Sequence, residues 1–249
     1  QEFYQYSLYN VISAACLCHD IGNPAFGHSG EDAIAIYFKR NSTTLQNHFS
    51  EKEWSDLINF EGNANAIRIL TQQQSGKSTG GLLLTYATLA SIAKYPCESI
   101  AKSKKEIHRK KFGFFQSEKQ NFLDIAQSTQ MIQLSEEPII FQRHPFVWLV
   151  EAADDICYNI IDLEDAHRLG IISHEKCLEL FLNFIRSIAS HDVDKINTRV
   201  KSISNKNDRI AYLRAKTIHY LILSSIENFI NNESQIFSGN QTQSIFDII

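Results

Sequence analysis

Residues 16–33 read CLCHDIGNPAFGHSGEDA and set two histidines, an aspartate and a glutamate around one breaker-rich turn. His19 and Asp20 close an apolar helical run, Gly22, Pro24 and Gly27 punctuate the turn, and His28 and Glu31 follow it. An imidazole and a carboxylate at one helix end can ligate a divalent ion through one nitrogen and one oxygen. That donor pair suits Mn²⁺, Fe²⁺, Ni²⁺, Zn²⁺ or Mg²⁺ better than an ion that prefers sulfur. An imidazole titrates near neutrality, which makes His28 a candidate general acid or base. Glu31, one helical turn further on, is placed to orient it. The plain alternative is a helix C-terminus whose imidazole caps carbonyls before a loop and a new helix.

An ion at His19 and Asp20 needs further ligands, and PFVWLVEAADDICYNIIDLEDAHRL, residues 145–169, offers them. Asp154, Tyr158 and Asp162 fall at i, i+4 and i+8, on one stripe of a helix. The flanking Val147, Trp148, Val150, Ile156, Ile160 and Ile161 are apolar, and a carboxylate in such company is costly unless paired or bound to metal. Glu164 and Asp165 fit the ordinary alternative, an acidic solvent face.

The elements that must hold these residues read as helices. YSLYNVISAACLCHD carries apolar residues at helical spacing into His19. SGEDAIAIYFKR begins with Ser29 as the expected N-cap and acidic residues in the first turn. NSTTLQNHFSEKEWSDLINF reads as loop with a short helix, and EGNANAIRILTQQQ as a helix ended by SGKSTGG. LLLTYATLASIAKYP predicts a helix stopped before Pro96. SEKQNFLDIAQSTQMIQL resumes helical character with Ser117 as the expected cap, and Pro145 opens the long helix that Gly170 closes. Three more amphipathic helices follow in SHEKCLELFLNFIRSIAS, DVDKINTRVKSI and NDRIAYLRAKTIHYLILSSIENFINN. With no fixed repeat and no obvious linker, the expectation is one all-α domain.

Composition agrees: 249 residues, 43% hydrophobic and 21% charged, with only 10 Gly and 4 Pro, suit a helical globular chain with a sizeable core. No apolar run reaches the length of a membrane span, and the opening QEFYQYSLYN lacks the charged-then-apolar pattern of a secretory signal. The five cysteines form no CxxC pair and read as small buried hydrophobes in a reducing, cytoplasmic setting. A net charge of −4 sets up no global field toward nucleic acid. The local exception is KSKKEIHRKK, Lys102–Lys111, either a solvated loop or a loop that handles phosphate. Two decoys carry no chemistry. SGKST lacks the earlier Gly and the preceding strand of a phosphate-binding loop, having Thr71 instead, and His191-Asp192 reads as a helix-start aspartate.

Taken together, HDIGNPAFGHSGE, FEGNANAIRILT, LTYATLASIAKYP, KFGFFQSE and RHPFVWLVEAADDICYNIIDLEDA resemble the HD superfamily of metal-dependent phosphohydrolases. More narrowly, they resemble the bacterial deoxyguanosinetriphosphate triphosphohydrolases and related dNTP hydrolases. Five blocks in order over residues 11–166 make the resemblance specific; residues 171–249 are helical in a compatible way. The resemblance implies an HD-domain helical bundle spanning 1–249, with a metal and catalytic core at 11–166 and a helical extension at 171–249. It implies His19, Asp20 and Asp154 as metal ligands, with Asp154 preferred to Asp155 because it shares a face with Tyr158 and Asp162. His28 and Glu31 match the catalytic pair beside the scissile phosphate. Asn63, Lys94, Lys111, Tyr158 and Asp162 match positions near the triphosphate and sugar, and Arg68 and Arg143 are further contacts or plain helix-surface residues. The implied cofactor is a divalent ion, Mg²⁺ or Mn²⁺ first, with Ni²⁺, Co²⁺, Fe²⁺ or Zn²⁺ admitted by the same donors.

The implied reaction is hydrolysis of a dNTP, dGTP foremost, at the α-phosphorus to a deoxynucleoside and inorganic triphosphate. A homo-oligomer, and a dNTP or single-stranded DNA effector, belong to the same implication. One departure stands out: the family takes another His ligand from a helix upstream of the pair, and residues 1–18 contain none. Either the chain is a piece of a longer protein or the coordination is incomplete; a start inside a helical pattern favours the first. The rival readings are an HD phosphodiesterase or nucleotidase and a non-catalytic HD nucleotide-binding module.

Overall fold

The computed structural model describes residues 3–73, 75–76 and 80–246. Among them are twelve α-helices and a single two-stranded hairpin, so the all-α class expected from the sequence holds. Lys77, Ser78 and Thr79 of the SGKST loop lie outside the described residues. Among the described residues no helix is long and apolar enough to cross a membrane.

The chain separates into two compact units, Gln1–Val150 with Gln235–Thr242, and Glu151–Ser234 with Gln243–Ile249. This division falls inside the long helix, whereas the sequence reading drew its internal line after it. In the first unit a π-type segment, Phe3–Leu8, leads into α1 (Tyr9–Cys18), followed by α2 (His28–Arg40), α3 (Ser42–Leu45), α4 (Glu51–Ile58), α5 (Gly62–Thr71), α6 (Tyr86–Ile92) and α7 (Lys119–Ser128). The hairpin β1 (Gln133–Glu136) and β2 (Ile139–Phe141) pairs antiparallel, and α8 (Val147–Arg168) begins in this unit.

Local chemistry sets the helix starts. Ser50 and Glu53 form a reciprocal capping box at α4. Thr85 accepts from the Thr88 N–H at 3.2 Å, so α6 begins at Tyr86 and not in the LLLT run, a shorter helix than the sequence suggests. Helix α2 starts at His28 behind Gly27, whose φ of 54° lies where an L side chain is strained. Ser29 is therefore inside the first turn, not the cap. Nor does Ser117 cap α7: it sits in a short 3₁₀ turn and donates to Glu118 at 2.8 Å. The MIQL run, read as helix, turns and enters β1, because β2 supplies a buried partner edge, Ile139–Phe141.

Three clusters form the first unit's core. Ala15, Ile67, Leu70, Leu89, Ile125 and Val150 tie α1, α5, α6, α7 and the first turn of α8 together. Phe112 packs in a second cluster with Ala64, Cys97 and Ile140, while Phe114 packs in a third with Phe122 and Phe141. The Phe114 and Phe122 rings stack at 4.4 Å. Between the two phenylalanines, a Cβ on Gly113 would stand 2.4 Å from the Tyr95 carbonyl oxygen, so only glycine lets the strand of chain pass there.

The second unit contains the rest of α8, α9 (His174–Ile188), α10 (Val193–Ser202), α11 (Lys206–Asn231) and the start of α12 (Glu233–Phe237). Its core is one cluster, with Ile160, Cys177, Phe181, Ile185, Ile210 and Leu213 near its centre. Ser173 and Asn205 cap α9 and α11. Asp192 stands at the N-cap position of α10, as the helix-start reading expects, but makes no side-chain cap bond; its carboxylate accepts from the Tyr220 hydroxyl at 2.5 Å.

Candidate functional site

The turn after α1 is held against α5 at a glycine contact. A Cβ on Gly22 would lie 2.0 Å from the Gly62 carbonyl oxygen and 2.2 Å from the Ala66 nitrogen, so no other residue permits this approach. Asn65 Nδ2 donates to the Gly22 carbonyl at 2.8 Å and fixes the same contact. On the near side of the turn, His19 Nδ1 lies 2.8 Å from the Cys16 carbonyl. A carbonyl only accepts, so that nitrogen carries a proton, and in the neutral imidazole Nε2 keeps its lone pair. Nε2 is 3.5 Å from the Asp20 carboxylate.

Asp154 stands one turn beyond Val150 on α8. His19 and Asp20 offer an imidazole nitrogen and a carboxylate side by side, and Asp154 on α8 offers a second carboxylate. The donor set is one imidazole nitrogen with a backbone-fixed tautomer and two carboxylates. This fits a divalent ion of the Mg²⁺-to-Zn²⁺ range, and the Cys16 carbonyl is the kind of outer partner that orients a ligating imidazole.

On the far side of the turn, His28 Nδ1 lies 2.8 Å from Glu31 Oε2. The other oxygen, Oε1, accepts from the Gly62 N–H at 2.7 Å. Glu31 thus bridges the first turn of α2 to the N-terminus of α5, where helix amides favour an anion. Burial pushes the Glu31 carboxyl up, but the hydrogen bonds from His28 and Gly62 and the Lys111 cation outweigh it and hold it below the usual value. The carboxylate stays charged, and it leaves His28 Nε2 as the nitrogen facing outward on an 83% exposed side chain.

His28 and Glu31 line a cleft of about 400 Å³ with Lys39, Glu61, Lys102 and Lys111. Lys111 Nζ is 3.0 Å from Glu61 Oε1 and 3.8 Å from Glu31 Oε2. Burial alone would lower its ammonium; Glu61, then Glu31, override this and keep it above the ordinary value. Asn63 Nδ2 also donates to Glu61 Oε1, at 2.8 Å, so one buried carboxylate gathers two residues of the expected set.

The remaining expected residues sit as follows. Lys94 lends its backbone carbonyl to Arg143 Nε at 2.8 Å. Arg143 is 5% exposed, with its guanidinium 4.7 Å from the Trp148 ring centre; it braces the fold and is not a surface residue. Arg68 pairs with the buried Glu118 at 3.1 Å. Tyr158 and Asp162 are exposed on α8. Lys104 and Lys105 are exposed, as the solvated part of the basic segment should be.

Sequence reasoning missed Glu61 and Lys39, and named Lys102 only as the first residue of the basic segment. Lys39 had a signal, since Glu31, Ala35 and Lys39 follow one another at four-residue spacing on the face of α2 that lines the cleft. Glu61 had a weaker one, as an acid at a helix start.

Curated relatives share this chain's sequence over nearly its whole length. A deoxyguanosinetriphosphate triphosphohydrolase-like protein of Synechocystis is 38% identical over 250 residues, 96% of this chain and 54% of its own length. One from Pseudomonas aeruginosa is 36% identical over 230 residues, 92% of this chain and 51% of its own. The sequence is thus similar, over nearly its whole length, to deoxyguanosinetriphosphate triphosphohydrolase-like proteins. A Salmonella paratyphi A relative named deoxyguanosinetriphosphate triphosphohydrolase is 31% identical over 279 residues, 96% of this chain and 52% of its own. The chain therefore spans about half the length of these relatives. No family model matches it.

Proposed function

We propose that this chain carries the metal-holding and phosphate-handling core of a dNTP triphosphohydrolase, with dGTP foremost among its substrates. The observation that supports this reading most is the His28–Glu31 pair at 2.8 Å facing a lysine-lined cleft in a chain similar to these relatives. His19, Asp20 and Asp154 would hold a divalent cation, which supplies Lewis acidity and charge neutralisation at the α-phosphate. His28 acts as the proton-transfer group, as base toward the attacking water or as acid toward the departing 5′-oxygen. Glu31 is its positioning residue, fixing which imidazole nitrogen is presented. Lys111, and Lys94 with it, balance the triphosphate, whose roughly four negative charges exceed what one dication neutralises. Asn63 is a further contact to the triphosphate, and Tyr158 and Asp162 contact the sugar.

The test is to supply each dNTP with Mg²⁺ or Mn²⁺ and separate the products. Inorganic triphosphate with the deoxynucleoside supports the reading. Orthophosphate release points to a phosphatase, and no turnover to a nucleotide-binding module; either overturns it.

A further inference from the structure

The cleft holds more cationic side chains than the expected set uses. Lys111 is held by ion pairs to Glu61 and Glu31. Lys39 and Lys102 are different: both line the cleft, and the Lys102 ammonium has a neutral partner, Asn59 Oδ1, at 3.2 Å. The cleft carboxylates are Glu31, Asp32 and Glu61; the described ion pairs of Glu31 and Glu61 go to His28 and Lys111, and among the described residues no ion pair joins Asp32 to either lysine. Lys39 comes from the last turn of α2, and Lys102 from the loop that begins the basic segment. Two ammonium groups that share a cleft, neither of them ion-paired among the described residues, repel one another, and an anion between them turns that repulsion into attraction. Partial desolvation, and then the neighbouring Lys39 and Lys111 charges, hold the Lys102 ammonium below its ordinary value against the pull of Glu61, as expected where like charges converge.

We infer that Lys39 and Lys102 form a second anion subsite in this cleft, taking a phosphate group of a polyphosphate separate from the one Lys111 meets. The inference rests on the reading that the cleft handles a triphosphate, and it extends that reading to residues outside the five motif blocks' expected contacts. Ammonium groups are compact, multiply donating cations suited to a phosphate oxygen from any direction, where a planar guanidinium would demand one geometry. The ligand chemistry is a polyphosphate with at least two charged groups, either the tail of the nucleotide or the free inorganic product.

Titrating inorganic tripolyphosphate and, separately, a non-hydrolysable dNTP analogue into metal-free protein at physiological salt tests this without relying on turnover. The Lys39→Ala/Lys102→Ala double variant should bind tripolyphosphate about 10- to 100-fold more weakly, the scale of charge-assisted hydrogen bonds. Lys105→Ala, from the same basic segment, should bind it as wild type does. Loss for both probes supports a subsite used by the nucleotide tail; loss for tripolyphosphate alone supports one that holds the free product. Wild-type affinity of the double variant for tripolyphosphate overturns the inference, as does a loss no larger than that of Lys105→Ala. A protein that binds tripolyphosphate through these lysines but hydrolyses no dNTP leaves the subsite standing and removes the proposed function. A protein that hydrolyses dNTPs while the double variant binds tripolyphosphate unchanged does the reverse.

Discussion

Glu61 and Lys111, fifty residues apart in the chain, meet at 3.0 Å, and the same carboxylate oxygen accepts from Asn63. Glu61→Gln keeps an acceptor for Asn63 but removes the charge that holds Lys111. A rise in KM for dNTP of roughly 3- to 10-fold, with kcat little changed, is the expected outcome for a lost positioning contact. Glu61→Ala should also lose the α5 cap, about 1 kcal/mol, and so melt lower than the Gln variant. Equal KM in wild type and both variants would show that the pair serves the fold alone.

His19→Ala and Asp154→Ala should each abolish stoichiometric Mn²⁺ binding, read by isothermal titration, because the two ligands left cannot compete with water. Asp155→Ala should be milder, since Asp154 and not its neighbour shares a stripe of α8 with Tyr158 and Asp162. Equal losses at 154 and 155 would leave the choice between them without support.

Replacing His28 with Ala should leave metal binding and melting temperature near wild type, because its side chain is largely exposed. Turnover of dNTP should fall by about 10²- to 10⁴-fold, the scale of a removed acid or base. Full activity in that variant would make His28 an ordinary helix-start residue.

Asp56 gives a pH signature independent of the cleft. It is 3% exposed and accepts from the Gln116 N–H at 2.7 Å. Burial first, with Glu98 and Glu118 adding, pushes its carboxyl up to about 6 against the Gln116 hydrogen bond and the polar neighbour Ser99. A folded-state value above the unfolded one means the contribution is fully present below about pH 4. It is lost as pH rises through about 6. Asp56→Asn should therefore be more stable than wild type at pH 8, by up to about 3 kcal/mol, with the gain shrinking toward pH 4. Urea unfolding at pH 8 and pH 5 checks it; an equal difference at both would exclude titration of Asp56 as the cause.

What the sequence made legible was local. His19, Asp20, His28 and Glu31 lie within thirteen residues, so helix ends and one-turn spacing suffice to set them around a turn. The Asp154 stripe was legible for the same reason, a fixed period along one helix. Contacts set by tertiary approach were not. Nothing in the spacing of Gly22 and Gly62 announces that their backbones touch, and Glu61 and Lys111 have no shared period. The hairpin was missed because its buried strand is only three residues, Ile139–Phe141, too short for alternation to show. Ser29 and Ser117 were misread as caps because a good capping residue near a helix start does not fix which residue begins the first turn; Gly27, free to adopt positive φ, took that place in α2.

The alternation Phe112-Gly113-Phe114 sends one ring into each of two separate clusters, directly after Lys111. Releasing the lysine's backbone would require both clusters to open at once, so fluctuations that stop short of unfolding the whole unit cannot move it. The amides of residues 112–115 should accordingly exchange with deuterium only through global opening, while those around the exposed Lys104 and Lys105 exchange through local motion. A protease that cleaves after lysine should cut at the latter pair long before it reaches Lys111. Lys111 is thus as long-lived in its place as the native state itself.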